Sequence, residues 1–444
     1  MDLFDVFTGH AKKYLSDTAA SVFPSPDAIA ALDAFDTPLQ DESIDPLQVI
    51  ELLSSSGADG TVRSSAGRYF GFVTGGSVPA ALVAKLILTV WDQNAALAIQ
   101  SPVAAKLEMV AAGWLIDLLG LHDDTGVGFV TGATMANFTA LVSARQHLLT
   151  QFGWNAAADG LFGAPPITVI VGGEVHVSLL KALNLAGFGR ERVVRVPVDG
   201  QGRMDVSRLP RIDGPTIVCA QAGNVNTGAF DDLKILTGLA TISTWVHVDA
   251  AFGLWAAVSP RLAHLVKGIE AADSIATDAH KWLNVPYDCG LVFVRNRIRL
   301  INAMTSGAAY LPTGDVREPF QFVPELSREA RGIPVWAALR SLGRNGIREI
   351  VERNCELATR FGDAMVAKGY NVLNDVVLNQ VLVSFGSDER TTAVIRALER
   401  DGTAWYGGTT WQGRVAMRIS ISSWATTETD VDRAIEAIDR VASG

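Results

Sequence analysis

The stretch SIATDAHKWLNVPYDCG (274–290) sets His280 beside Lys281, behind a run of small residues and ahead of Pro286. Lysine is rarely buried, because its ammonium is costly to desolvate. Here the flanks are small or apolar, and Pro286 rules out a long surface helix through the segment. The pattern predicts an inward-pointing amine. A desolvated lysine amine is suited above all to condensing with a carbonyl as a Schiff base.

Three further stretches could serve such a reaction. GFVTGATMANFTAL (128–141) reads as a short strand, a small-residue turn over Thr131, Gly132, Ala133 and Thr134, and a helix opening near Thr134. Free N–H groups at a helix start attract anions, although plain packing explains the turn equally well. WVHVDAAFG (245–253) ends an apolar strand on Asp249. A carboxylate there needs a cation or hydrogen-bond donors. It is either a structural cap or the counter-ion of a protonated ring nitrogen. GGEVHVSLL (172–180) places His176 after a strand, at a helix start, where a lone histidine is commonly a cap or a surface residue. The order of anion turn, histidine, strand-end aspartate and His-Lys is more specific than any one part.

These residues need a frame. β-Branched runs stand at ITVIV (167–171), RVVRVPV (192–198), TIVCA (216–220), WVHVDA (245–250) and GLVFV (290–294), with helical segments between some of them. Several are apolar on both faces, as in a covered parallel sheet. Alternating strands and helices predict a doubly wound α/β sheet with its site at the strand carboxyl ends. We divide the chain into an N-terminal helical and loop segment (1–77), a large α/β domain (78–340) and a small C-terminal α+β domain (341–444). The small domain opens on the long amphipathic pattern VWAALRSLGRNGIREIVERNCELATRFGDAMVAKG.

Composition narrows the function. Of the 444 residues, 48% are hydrophobic and 19% charged, which is globular and not disordered. A net charge of −10 argues against nucleic acid or an anionic membrane as the main partner. The three cysteines are odd in number and form no CxxC pattern, which points to a reducing cytoplasm. The apolar stretch VPAALVAKLILTVW (78–91) is too short to span a bilayer.

Taken with TDAHKWLNVPYDCG, the constellation resembles the pyridoxal-phosphate-dependent group II amino-acid decarboxylases, which include the aromatic-L-amino-acid and glutamate decarboxylases. The resemblance runs from about residue 65 to the C-terminal helix. It implies the type I aminotransferase-like fold, a mainly parallel seven-stranded sheet with a smaller C-terminal domain, and a homodimer sharing its active sites. By position it implies that Lys281 binds pyridoxal 5'-phosphate covalently, that Asp249 pairs with the pyridine nitrogen, and that His176 stacks on the ring and handles protons. Thr131, Gly132, Ala133, Thr134, Asn226, Asp278 and His280 would surround the cofactor, Asp278 only indirectly because its charge opposes a phosphate. Phe72 and Thr74 would meet substrate. Arg418 occupies a strand where the family carries an arginine.

One departure bears on the product. In many aromatic decarboxylases a loop tyrosine assists protonation of Cα, and the matching stretch, PTGDVREPFQFVPELSREARG (312–332), contains none. Phe320 and Phe322 lie near the expected place, Tyr310 just before it, and phenylalanine donates no proton. The expectation is decarboxylation of an aromatic or bulky L-amino acid, with Phe72, Trp91, Phe320, Phe322, Trp405 and Trp411 as candidate pocket residues. The alternatives are oxygen-dependent aldehyde synthesis, transamination and aldol cleavage. A metallohydrolase built on His176, His247, Asp249 and His280 is a rival of another class, as is a catalytically silent dimer scaffold.

Overall fold

The computed structural model of the chain describes residues 2–305 and 317–443. Its larger sheet holds β1 (Gly126–Val130), β2 (Thr168–Gly172), β3 (Val194–Val196), β4 (Thr216–Gln221), β5 (Thr244–Asp249), β6 (Ser274–Asp278) and β7 (Gly290–Val294), in the order β1-β7-β6-β5-β4-β2-β3. The pairs β3-β2, β2-β4, β4-β5 and β5-β6 are parallel; β7 runs antiparallel to both β6 and β1. The carboxyl ends of β1, β2, β4, β5 and β6 therefore share one edge of the sheet, where ligands bind in open α/β folds.

Alternation along the strands explains why the sheet is covered. Val246 and Val248 pack into one apolar cluster, while Trp245 on the same strand packs into the other. Side chains two apart share a face, so a strand apolar at every position needs cover on both. Helices Ala133–Gln151 and Val177–Leu185 cover one face. The other is covered in part by helices Pro102–Leu118 and Gly332–Ala367.

A second, antiparallel sheet joins β8 (Asn371–Val372), β9 (Gln380–Ser384), β10 (Gly407–Trp411) and β11 (Arg414–Ser420) in the order β10-β11-β9-β8. Its core takes Leu357, Phe361 and Met365 from the long helix and Val431, Ile435 and Ile438 from helix Glu428–Ser443. Phe70, from the N-terminal segment, is wholly buried in that same core.

The elements depart from the sequence pattern where composition misleads. RVVRVPV yields only three strand residues, half exposed at the sheet edge. SIATD forms interior strand β6 despite its small residues, because β5 and β7 pair with it on both sides. The long helix is interrupted at Gly343, whose backbone (φ 60°, ψ −179°) suits glycine far better than a residue with a side chain.

Residues 317–331 are pinned to their own chain by ions. Glu108 is 1% exposed and accepts from Arg317 at 3.1 Å and Arg328 at 2.8 Å. Lys85 pairs with Glu329, and Arg331 with Asp288 at 2.9 Å. Removing one partner of a buried ion pair leaves an uncompensated charge. Glu108→Ala is expected to destabilise the protein by roughly 3–5 kcal/mol in urea unfolding. Glu108→Gln, which keeps hydrogen-bond acceptor capacity, is expected to cost less.

Candidate active site

Asp249 is the last residue of β5, and its side chain is 4% exposed. Burial pushes its carboxyl up from the usual carboxylate range, while His176, Lys281 and a hydrogen bond from Asn137 pull it back. The Asn137 Nδ2 donor lies 3.1 Å from Oδ2, and the Ala251 N–H lies 3.2 Å from Oδ1.

Lys281 follows β6 by three residues. Its amine is 3.0 Å from Asp278 Oδ2, with a side chain 17% exposed. Asp278 also accepts the Ala133 N–H at 2.6 Å on Oδ1, so one carboxylate ties the lysine to the turn that opens helix Ala133–Gln151. His280 accepts the Cys289 N–H on Nδ1 at 3.1 Å, which leaves the Nε2 proton facing Asp278 Oδ1 at 3.5 Å. Burial lowers the His280 pKa.

His176 caps helix Val177–Leu185. Its Nδ1 accepts from the Ser178 N–H at 3.2 Å and meets Ser178 Oγ at 2.7 Å, which puts the neutral ring's proton on Nε2. Burial lowers its pKa, opposed by Asp249. The structure thus gathers His176, Asp249, Asp278, His280 and Lys281 at one sheet edge, alongside the Thr131–Thr134 turn.

Two close approaches lock this arrangement. A Cβ at Gly290 would lie 2.5 Å from the Gly132 backbone, and one at Gly75 would lie 1.7 Å from the Lys281 carbonyl oxygen. The glycine-rich loop therefore rests directly on the lysine turn. Thr74 on that loop is buried, with its hydroxyl 3.5 Å from the Tyr287 hydroxyl. Phe72 is 59% exposed and packs on Trp405 at 5.1 Å; Tyr69 stacks on Trp405, also at 5.1 Å. Tyr287 stacks on His280 at 4.3 Å.

Not every expected residue joins the group. Asn226 is buried and accepts from Thr409 of β10 at 3.0 Å. Phe322 lies in the core against the helix face of the sheet, with Arg317 over its ring at 3.7 Å. Phe320 is buried, its N–H bonded to the Ala96 carbonyl. Trp411 packs with Leu382 and Ala416, and Trp91 ends helix Pro79–Trp91 partly exposed. Tyr310 lies outside the described residues. Arg418 is 9% exposed, and its Nε has no hydrogen-bond partner among the described residues. His247, a metal ligand in the rival reading, has both ring nitrogens in hydrogen-bond contact with Ser274 and Asn137.

Residues 32–386 match the family described as "Pyridoxal-dependent decarboxylase conserved domain". The chain belongs to the group II pyridoxal-phosphate-dependent decarboxylases. Similar proteins include tryptophan decarboxylase 1 of Oryza sativa subsp. japonica, 27% identical over 87% of this chain and 82% of the relative. Another is L-2,4-diaminobutyrate decarboxylase of Rhizobium meliloti, 28% identical over 82% of this chain and 76% of the relative. The fold matches the crystal structure of Oryza sativa TDC with PLP and tryptamine at a TM-score of 0.90 and 23% identity, covering 99% of this chain and 96% of that one.

The decarboxylase's side chains fit pyridoxal phosphate. The N–H groups of Thr134 and Met135 have no partner among the described hydrogen bonds, and the N-cap residue Gly132 has no side chain to take them. A Cβ on Gly132 would come within 3.2 Å of His280 Cε1, so the glycine keeps the cradle open. An amine, a buried acid and a phosphate-sized set of donors are the complement that the cofactor requires. Sequence reasoning missed Asn137, Tyr287 and Asn284. A carboxamide one turn into an apolar helix was the available signal for Asn137.

Asn284 follows the lysine turn with a φ of 55°. Its Nδ2 donates to the Trp282 and Ser422 carbonyls at 2.9 and 3.1 Å, and its Oδ1 accepts the Trp424 N–H at 2.8 Å.

Because burial lowers the His176 pKa below its ordinary 6.5, the imidazole stays neutral as pH falls through that value and charges only in more acid solution. A pH–rate profile is expected to show any acid limb due to His176 below pH 6.5. His176→Asn is expected to remove that limb.

Proposed function

We propose that this decarboxylase acts on an L-amino acid with an aromatic or bulky apolar side chain, releasing CO2 and the amine. The observation that carries the reading is the meeting of Lys281, Asp249, His176 and Asp278 at the carboxyl ends of β2, β5 and β6. Tyr69, Phe72, Trp405 and Tyr287 lie beside the lysine turn and support an aromatic substrate.

Bound pyridoxal phosphate supplies an aldehyde for the lysine amine and an electron-poor ring for the electron pair left on Cα when the carboxylate departs. Lys281 contributes the amine, held meanwhile by Asp278. Asp249 contributes a fixed negative charge toward the ring nitrogen. The turn Thr131, Gly132, Ala133 and Thr134 frames the phosphate site, with the Thr134 and Met135 N–H groups as its donors. Asp278 acts on that turn through Ala133 and not on the phosphate itself. His280 borders the cofactor; Phe72 and Thr74 meet the substrate. The proton that reaches Cα comes from His176 in its imidazolium form, from Tyr310 or from water.

One observation favours a second product. Residues 312–332 contain no tyrosine, and Phe320 and Phe322 turn into their own chain's interior. The competing outcome takes up O2 and water and yields aldehyde, CO2, ammonia and hydrogen peroxide. Products from a panel of amino acids, read by mass spectrometry, are expected to be amine and CO2 in equal amounts. Aldehyde, ammonia and peroxide without amine would overturn the proposal. Lys281→Ala is expected to lose borohydride-trapped coenzyme and to cut turnover by about a thousandfold or more.

The same proposal includes a homodimer. Helix Pro79–Trp91 exposes Val83, Leu86, Ile87, Val90 and Trp91, and the N-terminal helices expose Phe4 and Phe7. An apolar surface of this extent marks an interaction site. Cys219, Cys289 and Cys355 are free thiols, in keeping with a reducing cytoplasm. Among the described residues no helix is long and apolar enough to cross a membrane. Light scattering is expected to give twice the chain mass, and Val90→Asp is expected to shift it toward that of a single chain.

A further inference from the structure

We infer that Trp245, Ser274, His247 and Asn137 form a one-directional hydrogen-bond relay whose end fixes the Asp249 carboxylate as an anion in a single orientation. They are positioning residues: none is proposed to touch substrate or coenzyme. The inference rests on the reading of Asp249 as partner of the ring nitrogen, and adds what holds it in that role.

The parts come together from the strand pattern. Trp245, His247 and Asp249 alternate along β5, so their side chains share one face. Ser274 opens β6 in register with His247. Helix Ala133–Gln151 lies over that face and lowers Asn137, one turn from its start, between His247 and Asp249. Trp245, Ser274, His247 and Asn137 are all at most 1% exposed.

The contacts are continuous. Trp245 Nε1 lies 2.8 Å from Ser274 Oγ, and Ser274 Oγ lies 2.9 Å from His247 Nδ1. His247 Nε2 lies 2.8 Å from Asn137 Oδ1, and Asn137 Nδ2 lies 3.1 Å from Asp249 Oδ2.

Donor chemistry sets the direction. The indole N–H can only donate, so Ser274 Oγ accepts from it and spends its own proton on His247 Nδ1. The neutral imidazole then carries its proton on Nε2 and donates to Asn137 Oδ1. The carboxamide is thereby oriented, and its Nδ2–H donates to Asp249, which as a carboxylate can only accept. Burial pushes the His247 pKa down to about 3, so the ring stays neutral.

The opposite direction is the competing state. It needs a protonated Asp249 donating to Asn137, with His247 protonated on Nδ1. Ser274 would then accept twice, and its own proton would have no acceptor among the described hydrogen bonds. Burial alone would favour that neutral acid. The relay therefore opposes the effect that would discharge Asp249.

Neutron diffraction from deuterated crystals of the holoenzyme tests the direction. The expected density places deuterium on His247 Nε2 and none on Nδ1; deuterium on Nδ1 overturns the relay. The second test reads coenzyme affinity and the visible band of the bound coenzyme. Ser274→Ala is expected to weaken pyridoxal phosphate binding about tenfold and to shift the band. Ser274→Thr, which keeps the hydroxyl, is expected to restore both. A purely structural serine would lower stability and leave the band in place, and that result also sinks the proposal. Asp249→Asn separates the two levels. If it loses affinity while Ser274→Ala does not, the relay alone fails; if neither does, the reading of Asp249 fails too.

Discussion

A carboxylate taken out of water must be compensated or it takes up a proton, and Asp249 is nearly wholly buried. The remainder of the site can be understood as the means of compensation. Lys281 and His176 supply charge or its potential, Asn137 and the Ala251 amide supply donors, and the sheet edge supplies the place where all of them converge. The fold's contribution is geometric. Parallel strands end together, so residues far apart in sequence meet at a line of carboxyl ends. Asp278 repeats the arrangement on the neighbouring strand, with an amine and a backbone amide in place of a carboxamide.

Much of this was legible in the sequence because polar residues at the ends of apolar strands are conspicuous. Asp249, Asp278 and the His-Lys pair stand out against valine, alanine and tryptophan, and the strand-turn-helix before Asn137 was visible from its glycine and small residues. What escaped notice depended on partners that no local pattern encodes. SIATD has poor strand composition and becomes an interior strand only because two neighbours pair with it. RVVRVPV has strong composition yet forms three residues of edge strand. Tyr287 follows Pro286 with no local signal of a role, and only the folded chain sets it against His280 and near Thr74.

The aromatic residues between 317 and 332 show the same limit. Phe320 and Phe322 sit where sequence position suggested a substrate wall, but their side chains are buried among residues of their own chain. Arg317, Arg328, Glu329 and Arg331 explain why: each is ion-paired to an element outside the segment, including the turn that carries Asp288. Hydrophobic character alone did not distinguish a pocket lining from a core, because both exclude water. The charges around the phenylalanines were the more informative feature.

Asn284 joins the lysine turn to the far end of the chain, and what it grasps there is main chain: the Ser422 carbonyl and the Trp424 amide. The side chains there are engaged as well: Ser422 Oγ accepts from Asn379 Nδ2 at 3.0 Å, and the Trp424 indole N–H donates to the Ser77 carbonyl at 2.9 Å. Substitutions at 422 and 424 would remove those bonds even where the backbone contacts to Asn284 persist. A chimaera carrying a relative's terminal region would thus have to reproduce both the polypeptide trace and the side chains at this junction.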